Sequence, residues 1–270
     1  MTSRGDRVFR SSLAVLGGSY VVLVLALLAA DVLFCEMEHL RAVLESPEIQ
    51  YAIWLTLITC TTAALLALLV GVPLGYMLSR WRFPLRWLVD AVVDIPVVLP
   101  PLVVGLSLLI LFNQPFFGFR LEDWLRNDVG WPVTYAVPAV VLAQFSVAAA
   151  FAVRTMRVAF DQISPRAELV ALTLGCTQAQ AFRKVTLPQA GRGMITAFTL
   201  AWARSLGEFG PIMVFAGTTR MKTEVLSTTV FLELSVGSLP TAVSVSLVMV
   251  AVAIVVLLVL RGFGLERRPQ

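Results

Sequence analysis

Apolar residues in this chain do not alternate with polar ones but run on in long blocks. Six blocks stand out, at residues 12–33, 51–76, 89–112, 132–153, 194–216 and 239–260, and the segments between them hold nearly all the charge. About 20 apolar residues in a helix rising 1.5 Å each cross the hydrocarbon of a bilayer. The pattern therefore predicts an all-α polytopic membrane protein, with six transmembrane helices in a single transmembrane domain over residues 1–270. The first block, behind Arg4, Arg7 and Arg10, resembles a signal peptide in placement. Its 22 residues exceed the roughly 7–15 of a signal's apolar core, so it reads as a retained span.

One polar interval carries helical patterning of its own. Residues 164–188 read SPRAELVALTLGCTQAQAFRKVTLP. Ser164 followed by Pro165 is a helix start, and Gly175 sits where such a helix stops. Thr177 with Gln180 three residues on forms a capping box opening a second short helix, which Leu187-Pro188 is expected to end. Two short helices joined at a glycine make an elbow. The alternative is an amphipathic segment lying on lipid. Two smaller signals lie elsewhere: FRLEDWLRND as an interfacial helix anchored by Trp124 and Trp131, and residues 217–238 as a loop.

Composition agrees with the pattern. The chain is 58% hydrophobic and 14% charged, and its mean hydropathy is +0.85. The net charge of +4 raises nucleic acid as a partner, but basic loops of a membrane protein explain it equally, and no nucleic-acid role is assigned. Charge distribution also orients the chain. With both termini cytoplasmic, fifteen basic residues fall inside, among them Arg80, Arg82, Arg86, Arg154, Arg157, Arg183, Arg267 and Arg268. Five fall outside: Arg41, Arg120, Arg126, Arg220 and Lys222. That is the asymmetry the positive-inside rule demands, and it puts the elbow in the cytoplasm between spans four and five. Cys35, Cys60 and Cys176 have no metal-like spacing, and His39 is the sole histidine, so neither a disulfide framework nor a metal site is expected.

The elbow's spacing matches a family. Glu168, Ala171 and Gly175, then nine residues to Val185 and the pair Leu187-Pro188, resemble the EAA loop of ABC importer permeases; Leu169 and Val170 stand in the region usually held by alanines. The resemblance implies that the first elbow helix docks on a separate ATPase subunit. Arg166, Glu168, Leu169, Ala171, Leu172, Gly175, Leu187 and Pro188 are then the coupling residues, with Leu169, Val170 and Leu172 as an apolar knob and Arg166 and Glu168 at its polar rim. It also implies a second permease copy, a cytoplasmic ATPase dimer, an extracytoplasmic binding protein, and a place in the cell inner membrane. No cofactor is expected in this chain, which lacks a GxxxxGK[ST] loop; ATP and Mg belong to the partner ATPase. The chain reads as a translocation subunit and not an enzyme.

Three further stretches narrow the resemblance. DIPVVLPPLVVG (94–105), ARSLGEFGPIMVFAG (203–217) and TEVLSTTVFLELSVG (223–237) are similar to molybdate, tungstate and sulfate permeases, with Gly-Glu-Phe-Gly leaning towards molybdate or tungstate. A sulfate or thiosulfate permease is the alternative, and a secondary transporter a more distant one. Pro100, Pro101, Arg204, Gly207, Glu208 and Gly210 are the expected pathway or gate residues. Charges inside a membrane are costly, so Arg204 and Glu208, four apart, should face each other or water, as a structural ion pair or as part of a gate. Gly207, Gly210 and Pro211 are expected to leave that helix thin and flexible. Asp90 and Asp94 read as ordinary favourable charge at a helix start, and Arg220 and Lys222 as solvated charge.

Overall fold

The computed structural model describes residues 4–115 and 118–265; Arg267 and Arg268, counted above as inside, lie outside them. The architecture is helical. A long helix α1 (Arg4–Phe34) precedes a short α2 (Met37–Glu45) that lies between the first two apolar blocks. Helix α3 (Pro47–Arg80) follows, then α4 (Arg86–Val98) and α5 (Pro101–Asn113). After α6 (Leu121–Trp124), which continues as a π-turn over Leu125–Val129, comes α7 (Val137–Asp161). The elbow holds α8 (Pro165–Thr173), α9 (Gln178–Ala181) and α10 (Leu187–Gln189). It leads to α11 (Gly191–Leu206), α12 (Gly210–Phe215), α13 (Leu226–Val236) and α14 (Leu239–Leu265).

Four helices among the described residues are long and apolar enough to cross a membrane: α1, α3, α7 and α14. The third expected span, 89–112, is a bent pair in which α4 and α5 meet at 111°. Pro100 and Pro101 explain the bend, since neither has an N–H to give and each disfavours helix in the residue before it. The fifth expected span, 194–216, is likewise not one helix; it breaks after Leu206 and resumes at Gly210. The expected loop at 217–238 contains a helix, α13. Its first N–H finds a partner in a different element, Leu226 N to Thr56 Oγ1 at 3.0 Å, a contact that local sequence does not reveal.

The bundle is built on the crossing of α3 and α7. A Cβ on Gly75 would lie 2.7 Å from Met156 Cβ, and one on Gly71 would lie 3.0 Å from Ala152 Cβ. Ala63, Ala64, Ala67, Ala148 and Ala152 are also buried. Lipid offers no hydrophobic drive between helices, so close backbone approach through small residues and a few hydrogen bonds hold them. Trp202 of α11 donates its indole N–H to Thr61 Oγ1 (3.2 Å), and Gln144 of α7 reaches Cys60 Sγ (3.4 Å). At one end of the bundle, Ser79 meets Asp161 and Tyr76 meets Glu168. At the other, Arg220 pairs with both Glu48 and Glu233 at 2.8 Å, so it is not the free solvated charge expected from its loop. A helix is present where FRLEDWLRND was expected to form one, as α6 and its π-turn, pinned by buried Glu122, which accepts from Thr134 N and Oγ1, each at 3.0 Å.

Candidate functional site: an elbow and a broken-helix cavity

The elbow folds by local rules. Ser164 Oγ accepts from Arg166 N at 3.4 Å, and Pro165 occupies the first helical position of α8. Gly175 adopts φ +90°, with Gly175 N bonded to Leu172 O (3.0 Å) and Cys176 N to Ala171 O (3.1 Å). This is the Schellman closure, and it needs a left-handed residue at that position. Thr177 and Gln180 exchange the two capping-box bonds, at 3.0 and 3.3 Å.

The second elbow helix does not end at Leu187-Pro188 as expected. A π-turn over Phe182–Thr186 carries a Leu187 N to Phe182 O bond, and Ala190 N bonds to Thr186 O at 3.0 Å, so the helical path passes the proline and its missing donor.

The faces of α8 divide cleanly. Leu169, Val170 and, just past the helix, Leu174 are 58%, 57% and 80% exposed, beside an exposed Arg166. Ala171 is buried and Leu172 partly so. Glu168 does not sit with Arg166 at an outer rim. It turns inward, accepts from Tyr76 Oη and from Thr186 Oγ1 (3.1 Å), and lies 3.7 Å from Arg80 Nε. Arg80 in turn donates from Nη2 to Ile163 O at 2.7 Å. Carboxylate, guanidinium, phenol and hydroxyl thus fasten α8 to the end of α3 and to the π-turn. Sequence spacing picked out Glu168 but not these partners, which lie 18 to 92 residues away.

At the other site the two broken helices meet. Pro100, Pro101, Arg204, Gly207, Glu208 and Gly210, chosen separately from two segments, line one cavity of about 280 Å³ together with Leu102 and Phe209. Gly210 fits because its backbone abuts α5; a Cβ there would come 3.1 Å from Leu102 N. Gly105 abuts α12 in the same way, where a Cβ would lie only 2.6 Å from Pro211 Cα. Small residues here give contact between α5 and α12, whereas a thin flexible helix was expected.

Arg204 Nη1 donates to Glu208 Oε2 across the helix break, and the guanidinium lies 5.9 Å from the Phe151 ring centroid. Glu208 is buried, and its second oxygen, Oε1, has no hydrogen-bond partner among the described residues. Its backbone carbonyl accepts from Ser227 Oγ of α13 at 2.7 Å. The arrangement is a half-satisfied carboxylate in a notch walled in part by non-helical backbone, at Pro100 and at Gly207 to Phe209. Irregular backbone at membrane depth is tolerated where protein or a water-filled cavity covers it.

A bundle of long apolar helices with an exposed elbow and a notch between two helix breaks is the architecture of a helical membrane protein. Residues 71–264 match the family described as "Binding-protein-dependent transport system inner membrane component", and the chain belongs to that family. It is a multi-pass inner-membrane permease subunit of an ABC importer. It is 35% identical over 208 residues to the sulfate transport system permease protein CysT of Salmonella typhimurium, covering 77% of this chain and 73% of that one. It is 34% identical over 181 residues to the molybdate/tungstate transport system permease protein WtpB of Thermococcus kodakarensis, covering 67% and 66%. With the molybdenum transport system permease protein ModB of Escherichia coli it shares 37% over 174 residues, covering 64% and 74%. Among solved structures, a bacterial alginate ABC transporter in complex with a pentasaccharide-bound periplasmic protein aligns with TM-score 0.74 at 19% identity, covering 97% of this chain and 96% of that one. The inward-facing MetNI methionine transporter aligns at 0.60 and 19% identity, covering 81% and 95%.

Proposed function

We propose that this chain is the translocation subunit of an ATP-driven importer of tetrahedral oxyanions, with molybdate or tungstate as cargo. In this reading it has six spans, α4–α5 and α11–α12 counting as one each, and both termini are cytoplasmic. Helix α8 docks on a separate ATPase dimer that holds ATP and Mg. A second copy of the chain completes the pathway beside the α5–α12 notch, and a binding protein delivers the anion from outside.

The observation that carries the reading is α8 itself: an apolar outer face on a helix fastened inward by a half-buried carboxylate. A connector need only be soluble, whereas a helix that receives a push needs both a contact face and a rigid mount. The notch supports the other half of the reading, since two broken helices give a wall that can open.

Sulfate is the second reading, favoured by the longer stretch over which CysT aligns. Uptake of radiolabelled tungstate, molybdate and sulfate by the reconstituted complex separates the two. The coupling role is tested by Leu169→Glu with Leu174→Glu, which should abolish co-purification of an ATPase. Retention of the ATPase by that variant, or transport that persists without ATP, refutes it.

A further inference from the structure

Helix α4 joins the two sites, and it is attached in an unusual way. All of its residues are described; none is fully buried and about half are partly buried, so packing fixes it only in part. Its ionic attachments run to α7. Arg154 Nε donates to Asp94 Oδ1 at 2.6 Å, and Arg157 Nη1 to Asp90 Oδ1 at 2.6 Å. The aspartates are four residues apart and the arginines three, so each like-charged pair lies along one helical face and the two rows meet. Neither aspartate lies in the first turn of α4, where the helix dipole would account for it; the reading of Asp90 and Asp94 as charge at a helix start does not hold.

The two helices lead to different places. At its far end α7 runs through Gln162 and Ile163 into α8, and its Asp161 accepts from Ser79 Oγ at 2.6 Å. At its far end α4 passes through Leu99 to Pro100 and Pro101, which line the cavity. Beyond that break α5 is fixed against α12 by the contact of Gly105 with Pro211. A rod hinged at a diproline, only partly buried along its length and tethered by two ionic links, follows whatever it is tethered to.

We propose that Asp90–Arg157 and Asp94–Arg154 are positioning pairs that carry a displacement of α8, through α7 and α4, to the cavity wall at Pro100–Pro101. The proposal rests on the coupling role assigned to α8. The pairs are partly exposed, between 31% and 51%, and such pairs add little to folding. Their loss therefore registers in transmission and leaves assembly intact.

The test uses the chain in complex with its ATPase and binding protein, reconstituted in liposomes, with radiolabelled tungstate and sulfate as probes. Asp90→Asn with Asp94→Asn should leave the complex assembled and ATP hydrolysis within about twofold of the parent, while anion taken up per ATP falls about fivefold or more. Arg157 also lies 4.0 Å from Asp161 of its own helix, so the charges are exchanged at the other pair: Asp94→Arg with Arg154→Asp should keep most of the parent ratio where Asp94→Asn alone lowers it. An unchanged ratio in the neutral variant overturns the proposal. So does a parallel loss of hydrolysis and uptake that the exchange does not rescue, which is the signature of a merely structural role. Failure of the underlying coupling role reads differently: Leu169→Glu with Leu174→Glu would then keep both its ATPase and its uptake.

Discussion

Glu168→Gln isolates what holds the elbow in place. The carboxylate accepts two hydroxyl donors and sits beside Arg80, with side chains only 14% and 13% exposed. Glutamine keeps the shape and one acceptor oxygen, but it removes the charge and leaves one hydroxyl and the Arg80 Nε without an anion. A hydrogen bond to a charged group contributes about 1.5–3 kcal/mol. Losing one such interaction should raise the population of undocked α8 by about 10- to 150-fold, at 1.4 kcal/mol per factor of ten. Native-state hydrogen exchange on the purified chain reads this directly, because local opening governs exchange of α8 amides. Amides from Leu169 to Thr173 should exchange faster by that factor, while those in the α3–α7 crossing should not change. Leu169→Glu, on the exposed face, should leave α8 exchange near the parent rate. Exchange of α8 within about twofold of the parent in Glu168→Gln would falsify the claim that this network mounts the helix.

Two other outcomes follow from single positions. Gly175 has φ +90° and open space where a Cβ would go, so the cost of Gly175→Val is backbone strain alone, about 1–2 kcal/mol. The valine variant should insert normally and lose uptake, whereas Gly175→Asn, which tolerates the left-handed region, should stay close to the parent; uptake that survives valine removes the elbow from the transmission route. In the loop before α13, burial pushes the Glu224 carboxyl above its ordinary range, outweighing the opposing influence of Thr229 and Arg220. A carboxyl raised in the folded state favours folding below its ordinary value of 4.5 and loses that advantage as pH rises through the raised value. Glu224→Gln should therefore melt above the parent at pH 8, with the gap closing towards pH 4.5; a variant that melts no higher at pH 8 contradicts this sign.

Much of the fold was legible because lipid makes long apolar runs nearly compulsory helices, as for α1, α3, α7 and α14. Local chemistry was equally readable at Ser164, Gly175, Thr177 and Gln180, where each bond closes within five residues. Breaks were harder. Pro100-Pro101 announced a kink, but neither its size, 111°, nor the close approach of Gly105 to Pro211 beyond it is encoded in any spacing. Glycines flanking Glu208 looked like a thinned helix and proved to be a break, with Glu208 N bonded back to Ser205 O at 3.1 Å. Partners of Glu168, Asp90, Asp94 and Arg220 were invisible for one reason: charge pairing across 13 to 172 residues leaves no periodic trace. Even so, the six residues picked from two distant segments share one cavity, because the signals that chose them, proline pairs, glycines and intramembrane charge, are the ones that interrupt helices.

The meeting of those two interruptions bears on how steeply the protein responds to temperature. Opening a gate within an intact helix means breaking backbone hydrogen bonds, and the enthalpy of each must be supplied as activation. Here Pro100 and Pro101 have no N–H groups, and the α11–α12 path is already parted at Gly207 to Phe209. Motion at the notch turns dihedral angles, with the single turn bond from Glu208 N to Ser205 O inside the break and no run of helical bonds to sever. The conformational step at this position should consequently be shallow in its temperature dependence, and the steep part of any uptake curve should belong to events elsewhere in the complex.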